Sequence, residues 1–343
     1  MKHMIVNTEK AIQALGDKRL FITGGSGFIG TRLIQTVNTV APVTILSRKQ
    51  SIPALRDSVS VVQGDLTEHG SMPDDMLAGI DCIIHLASYV HQEKGREIDD
   101  KHFAITEDGT RFLIAKAVQA GVKKFIYVSS VKAMGESTDT LVDEESICQP
   151  ESPYGLSKLA AERLVLELGR KYGIHVCVLR LPMVYGTGNK GSLPRMIAQI
   201  DKNRFPPLPD IDNKRSMIHV DDVVQAILLA ITRKNANNNI YIITDGEFYS
   251  TYRIYLEIVE QLKGRAPLLR MPVIVFKSLA KTGDLLGRIN GSPFMFNSDV
   301  YRKLFGSAYY SCKKIHDELG YTTTKTFYTT LPELIDEYRK GMQ

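Results

Sequence analysis

The spacing of apolar positions changes repeatedly along the first half of the chain. Short, nearly continuous apolar runs ("RLFITG", "VTILSR", "VSVVQGDL", "DCIIHLAS", "KKFIYVSS" and "HVCVLRLPMVYG") follow one another in order. Between them lie stretches with helical spacing, among them "FIGTRLIQTVNTV", "MPDDMLAGI", "EDGTRFLIAKAVQAG" and "YGLSKLAAERLVLELGRKYG". Strands that are apolar on both faces belong to a parallel sheet covered by helices on both sides. The pattern predicts an α/β fold, a doubly wound parallel sheet of the Rossmann kind.

From Gly186 the pattern loosens. Residues 186–216 are loop-rich, with Pro206, Pro207 and Pro209 close together. "HVDDVVQAILLAI" then predicts a helix and "NIYIITDG" a strand, and the remainder to Gln343 reads as short helices and turns. This divides the chain into a larger α/β domain, residues 17–185 plus 219–245, and a smaller C-terminal domain, residues 186–218 plus 246–343; the motifs below make the first the NAD(P)-binding domain and the second the substrate-binding one. Ligands of open α/β sheets sit beyond the carboxyl ends of the strands. The smaller domain is expected to close over that edge.

Composition narrows the partners. The 343 residues are 43% hydrophobic and 24% charged, ordinary for a globular protein with a sizeable core. The net charge of +5 is dispersed, without a Lys/Arg block, so no nucleic-acid partner is expected. No apolar run reaches the roughly 18 residues of a membrane span. The longest candidate, residues 271–280, is interrupted by Pro272 and Lys277, and no membrane partner is expected. The leading residues lack the pattern of a signal peptide. Cys82, Cys148, Cys177 and Cys312 lie far apart with no CxxC pair, so neither a metal site nor a disulfide framework is expected. A cytoplasmic protein with reduced thiols is the expectation, and a homodimer is open.

Candidate chemistry begins at "FITGGSGFIG". Gly25, Gly27 and Gly30 fit GxGxxG, and Gly24, Gly27 and Gly30 fit GxxGxxG. The stretch follows a predicted strand and opens a predicted helix, as a dinucleotide-binding loop requires. Gly24, Gly27, Phe28, Ile29 and Gly30 would bring backbone and a helix amino end to a pyrophosphate. About 20 residues on, an acidic residue would hold the ribose of NAD. Here the second strand ends in Ser47, Arg48 and Lys49. Arg48 suits a 2′-phosphate, which favours NADP(H) and leaves NAD(H) open; the alternative is a solvated basic turn. Asp65 and Leu66, in "GDL", are placed to meet the adenine. Leu86, Ala87 and Ser88, in "HLAS", are placed along the cofactor, with Ser88 also facing substrate.

"YVSSVKAMG" and "SPYGLSKLAAE" carry the candidate catalytic groups. Tyr154 and Lys158 stand four apart on a predicted helix and share a face. A phenol has a pKa near 10, and an adjacent ammonium would lower it toward neutrality. Tyr154 could then exchange a proton with an alcohol oxygen, while a serine at the end of the neighbouring strand holds the same oxygen.

With these motifs in order, the chain resembles the extended short-chain dehydrogenases/reductases of the NAD-dependent epimerase/dehydratase type, from "FITGGSGFIG" to "LGYTTTKTF". The resemblance implies that Ser130, Tyr154 and Lys158 are catalytic, with Ser129 in support. It implies that Ser88, Ser130, Tyr154 and Arg215 meet a substrate. Arg215, in "KRSMIHVDDV", would grip the diphosphate of a UDP-sugar; the alternative is an ion pair with Asp221 or Asp222.

Departures from the family patterns narrow the activity. Ser130, Val131 and Lys132 stand where 4,6-dehydratases resemble Thr-Asp-Glu, so no carboxyl pair is present to remove water. The cysteine that 3,5-epimerase/reductases place near Lys132 is absent. Met183, in "RLPMVYG", replaces the asparagine of many UDP-hexose epimerases. "HLASYVHQ", "FPPLPDIDNKRS" and "ITDGEFYST" are similar to a subgroup acting on UDP-N-acetylhexosamines in surface-polysaccharide synthesis. The resemblance implies a C4 epimerase or 4-keto reductase. A 3β-hydroxysteroid or flavonoid-type reductase, and a non-catalytic NADP-sensing protein, are the alternatives.

Overall fold

The computed structural model describes residues 9–50, 59–89, 96–264, 270–292 and 294–342. Residues 90–92, the end of the "HLASYVHQ" stretch, lie outside the described residues. The strands are β1 (Leu20–Thr23), β2 (Val43–Ser47), β3 (Ser60–Gln63), β4 (Cys82–His85), β5 (Lys124–Ser130), β6 (His175–Leu181), β7 (Met183–Tyr185), β8 (Met217–His219) and β9 (Asn239–Ile242). Seven form one parallel sheet in the order β3-β2-β1-β4-β5-β6-β9, and β7 pairs with β8 in a second, two-stranded sheet. The chain runs outward from β1 to β3 on one side and from β4 onward on the other. The crevice at this reversal opens at the carboxyl ends of β1 and β4.

Alternation along each strand divides the core. Leu20, Ile22, Ile84, Ile126 and Leu179 pack with Leu33, Ile34 and Val223, from helices Phe28–Val37 and Val220–Thr232. Phe21, Ile83, Phe125 and Val178 face the other way, onto Leu113, Ile114 and Val165 of helices Gly109–Gln119 and Pro153–Tyr172. A third core joins Tyr185, Ile197, Met217 and Tyr249 to Phe327 and Leu331, all from residues beyond the first six sheet strands. Asp245, just after β9, accepts hydrogen bonds from the Tyr185 (2.9 Å) and Tyr249 (2.7 Å) hydroxyls and ties this third core to the sheet. The helix Lys313–Leu319 lies in the segment assigned to the smaller domain, yet its Ile315 and Leu319 pack into the first core.

Two expected elements differ. "MPDDMLAGI" is a succession of turns, held by Met76 N to Pro73 O and Ala78 N to Asp75 O bonds three residues apart. Met72, Met76, Leu77 and Ile80 are all buried there, seated in the core by the turns themselves. The C-terminal part holds longer helices than expected: Thr251–Lys263, Val273–Asn290 and Phe327–Lys340. Pro272 is the N-cap residue of the second of these, where a proline does no harm.

Candidate active site

The glycines after β1 divide by what surrounds them. Gly24 has φ +70°, and a Cβ on it would stand 2.9 Å from the Ala87 amide nitrogen at the end of β4. A Cβ on Gly30 would run into the Gly24 carbonyl and stand 2.6 Å from the Gly25 Cα. Gly24 and Gly30 therefore serve the close packing of turn, helix and sheet. Gly27 differs, because a Cβ there would meet only the Gly24 carbonyl oxygen, at 3.1 Å. Gly27 is the N-cap of helix Phe28–Val37 and offers no side chain to its first amides, and the first turn carries no acid. That helix end is left open to an anion.

The neighbouring strand ends complete this edge. Arg48 is exposed just past β2, where the Ser47 hydroxyl accepts from the Lys49 amide at 3.0 Å. The Asp65 carboxylate accepts from the Thr67 amide (2.9 Å) and hydroxyl (2.8 Å), and Leu66 beside it is buried. Leu86 and Ala87 are fixed by their amides, which donate to the Thr23 carbonyl (3.2 Å) and hydroxyl (3.2 Å). Ser88 exchanges a hydrogen bond with the Thr106 hydroxyl at 3.1 Å. The structure thus places all these residues around the mouth between β1, β2, β3 and β4.

Ser130 ends β5, and Tyr154 sits in the first turn of the helix Pro153–Tyr172. The helix starts there for local reasons. The Ser152 hydroxyl accepts from the Gly155 amide at 3.2 Å, and Pro153 supplies a preset first residue. The same hydroxyl donates to Glu136 at 2.5 Å, and Glu136 pairs with Lys132 at 2.7 Å. These bonds clamp the loop after Ser130 to the helix start. Gly155 allows the clamp, since a Cβ there would run into the Lys132 carbonyl. The Ser130 hydroxyl accepts from the Lys132 amide at 3.2 Å; burial raises the Tyr154 pKa, and the nearby Ser130 side chain opposes the rise.

The lysine departs from expectation. Lys158 is buried, donates to the Val128 carbonyl at 2.8 Å and lies 4.8 Å over the Tyr127 ring. Burial pulls its pKa down to about 7, against the pull of the Glu162 carboxylate. Instead of lying low beside an ammonium, the Tyr154 phenol lies above its ordinary value, because desolvation dominates there.

Arg215 bridges two segments. Its backbone pairs with that of Tyr249 through two 2.9 Å bonds, and its Nη1 donates to the carbonyls of Lys303 (2.9 Å) and Gly306 (3.1 Å). The ion pair with Asp221 or Asp222 is not formed. Asp221 bonds Arg32 at 2.5 Å, and Asp222 accepts from the Thr324 amide and hydroxyl. Among the described residues no carboxylate pairs with the half-buried Arg215 guanidinium, whose pKa burial lowers.

The pattern of the NAD dependent epimerase/dehydratase family matches residues 20–244, well over half of the chain. The chain belongs to that family. It is an NAD-dependent type of enzyme with the extended short-chain dehydrogenase/reductase fold. It is 27% identical over 319 residues to a UDP-glucose 4-epimerase of Vibrio cholerae, covering 90% of this chain and 92% of the relative. It is 28% identical over 333 residues to short-chain dehydrogenase/reductase family 42E member 1 of Danio rerio, covering 89% and 84%. MoeE5, solved in complex with UDP-glucose and NAD, superposes with a TM-score of 0.75 at 24% identity, covering 96% of this chain and all of MoeE5.

Within this family member the structure adds groups that the motifs did not single out. Glu162 continues the series Tyr154, Lys158 at one further step of four. Its carboxylate accepts from Ser129 (2.5 Å) and from Arg180 (2.6 Å) deep in the protein. The spacing was present in "YGLSKLAAE", and the partners Ser129 and Arg180 were not readable from it. His102 stacks edge-on against Tyr154 at 5.7 Å, from a helix with no sequence signal pointing to the site.

Proposed function

We propose that this family member acts at C4 of a UDP-hexose or UDP-N-acetylhexosamine, as a 4-epimerase or a 4-keto reductase, in the synthesis of surface-polysaccharide precursors. The observation that carries the reading is the hydroxyl pair Ser130–Tyr154, set at the carboxyl edge of β5 on the same edge as the open helix end at Gly27. A dinucleotide would suit that edge: Gly27, Phe28 and Ile29 would hold the pyrophosphate in a turn kept tight by Gly24 and Gly30, Asp65 and Leu66 would meet the adenine, and Leu86, Ala87 and Ser88 would lie along the rest. When bound, its nicotinamide supplies hydride exchange. Arg48, with no acid at Ser47, supports NADP(H), although MoeE5 was solved with NAD.

In this reading Tyr154 carries the proton at the sugar O4. Its raised pKa keeps it a neutral phenol near pH 7, the form that donates to a ketone oxygen. That suits the reductive step. The oxidative half of an epimerase needs Tyr154 as the phenolate, which accepts the O4 proton as hydride leaves C4 and is thereby returned to the phenol. Ser130 holds the same oxygen by its hydroxyl. Lys158, fixed on the Val128 carbonyl, sets a positive charge beneath the reacting region whenever it is protonated.

Arg215 supports a diphosphate substrate. Its charge has no carboxylate partner among the described residues, and a guanidinium fork matches phosphate oxygens. The test is calorimetry with uridine diphosphate on the wild type and on Arg215→Leu. Binding by the wild type and its loss in the variant are expected, with NADPH affinity retained. A second reading is favoured by Met183, which stands where many UDP-hexose epimerases have asparagine. It is a reductase of a 3β-hydroxysteroid or flavonoid-type substrate. A wild type that ignores uridine diphosphate would replace the first reading with the second.

A further inference from the structure

We propose that the helix Val273–Asn290 docks on an anionic lipid bilayer surface. The helix has two apolar faces. Its inner face, Phe276, Ala280 and Gly283, is buried. Phe276 packs on Phe296 (6.1 Å) and Phe305 (5.1 Å), and a Cβ on Gly283 would run into the Phe296 carbonyl. The outer face is apolar as well and uncovered. Ile274 is 66% exposed, Leu285 58% and Ile289 71%, and at about 100° per residue they fall within an arc of about 60°. Leu279 widens the stripe. Among the described residues, nearly half of the exposed large hydrophobic side chains lie between 274 and 295. A contiguous patch of this kind marks an interaction surface rather than chance exposure.

Charge selects the occupant. Lys277, Lys281 and Arg288 are exposed along one border of the stripe, within about 60° of Ile274. The single acid of the helix, Asp284, is engaged with Ser298, accepting from its amide (3.0 Å) and hydroxyl (2.5 Å). The outer half therefore presents apolar side chains bordered by cations and carries no other carboxylate. That is the layout of a helix lying in the interface, its apolar face in the acyl boundary and its cations among anionic headgroups. No helix among the described residues is long and apolar enough to cross a membrane, so the contact is with the surface. The run 271–280 is too short and too broken for a span. In the structure Pro272 caps this helix and Lys277 stands on its cationic border.

The test is co-sedimentation of the full-length protein with vesicles of phosphatidylcholine alone and of phosphatidylcholine mixed with phosphatidylglycerol. Binding to the anionic vesicles should be at least about tenfold stronger and should weaken in high salt. The exposed-face variant Leu285→Glu with Ile289→Glu should lose it while keeping the far-UV circular dichroism and thermal midpoint of the wild type. Lys277→Ser with Lys281→Ser, which leaves the apolar stripe intact, should reduce the preference for anionic vesicles. Wild type that stays in the supernatant with both vesicles overturns the proposal, as does a Leu285/Ile289 variant that sediments equally well. Self-association that the same variant abolishes, without vesicle binding, would show that a second copy covers this face and would also overturn it.

Discussion

The Lys158 ammonium donates to the main-chain carbonyl of Val128, at 2.8 Å, in the strand that ends at Ser130. A sequence with Tyr154 and Lys158 four apart pairs their side chains. The fold instead lets β5 intercept the lysine one turn below the tyrosine. The strand that carries the catalytic serine candidate thus also anchors the only ammonium in the Tyr154–Lys158–Glu162 series.

Lys158 predicts a pH dependence. Burial brings its pKa from 10.5 down to about 7. Below pH 7 the folded and unfolded chains both hold the proton. Between about pH 7 and 10.5 only the unfolded chain does, so this group makes stability rise with pH across that window. In Lys158→Met that rise should flatten. Urea midpoints of the cofactor-free protein, at neutral pH and at pH about 9, read the difference. An identical rise in wild type and variant would mean that the lysine does not titrate in this window.

Tyr154→Phe keeps the ring's packing against His102 and removes the hydroxyl. Turnover should fall by about 10²–10⁴ while cofactor binding survives. Near-normal turnover would move the proton-transfer role to another group.

The buried pair Glu162–Arg180 gives a stability prediction. Glu162→Gln leaves the Arg180 guanidinium, 2% exposed, without its counter-charge. The expected loss is about 3–5 kcal/mol, measured by urea unfolding. Replacing both partners with apolar residues should cost less than either single change, because no charge is then left buried alone. A double variant as unstable as the sum of the singles would contradict this.

The parts of this molecule that were legible in the sequence are those written by local period and local backbone need. The parallel sheet follows from strands such as "CIIH" and "KFIYVSS", buried on both faces. The glycine loop follows from the turn after β1 and the crowding of Gly24 against Ala87. What escaped depends on partners distant in the chain. The turns at 72–80 seat four apolar side chains in the core, which overrides their helical spacing. The Val128 carbonyl as target of Lys158, the Lys303 and Gly306 carbonyls around Arg215, and the Ser129–Glu162–Arg180 cluster each join segments that no motif connects.

Arg48 gives a cofactor prediction. It is exposed at the end of β2, with no acid at Ser47 to compete for it. Arg48→Ala should weaken NADPH binding by about 10- to 100-fold, the worth of a hydrogen bond to a charged group, and leave NADH binding nearly unchanged. Fluorescence titration with both cofactors reads it. Equal losses, or a wild type that prefers NADH, would contradict an NADP preference.

The central claim is redox chemistry at C4 of a UDP-sugar. The most direct measurement follows C4 by proton NMR. Purified protein is given UDP-glucose or UDP-N-acetylglucosamine with NAD⁺ or NADP⁺, and a 4-keto UDP-sugar with NADPH. The account predicts inversion at C4 in the first mixtures or reduction of the ketone in the last, and neither with Tyr154→Phe. UDP-sugars left unchanged at C4, while a steroid or flavonoid ketone is reduced at the expense of NADPH, would contradict it.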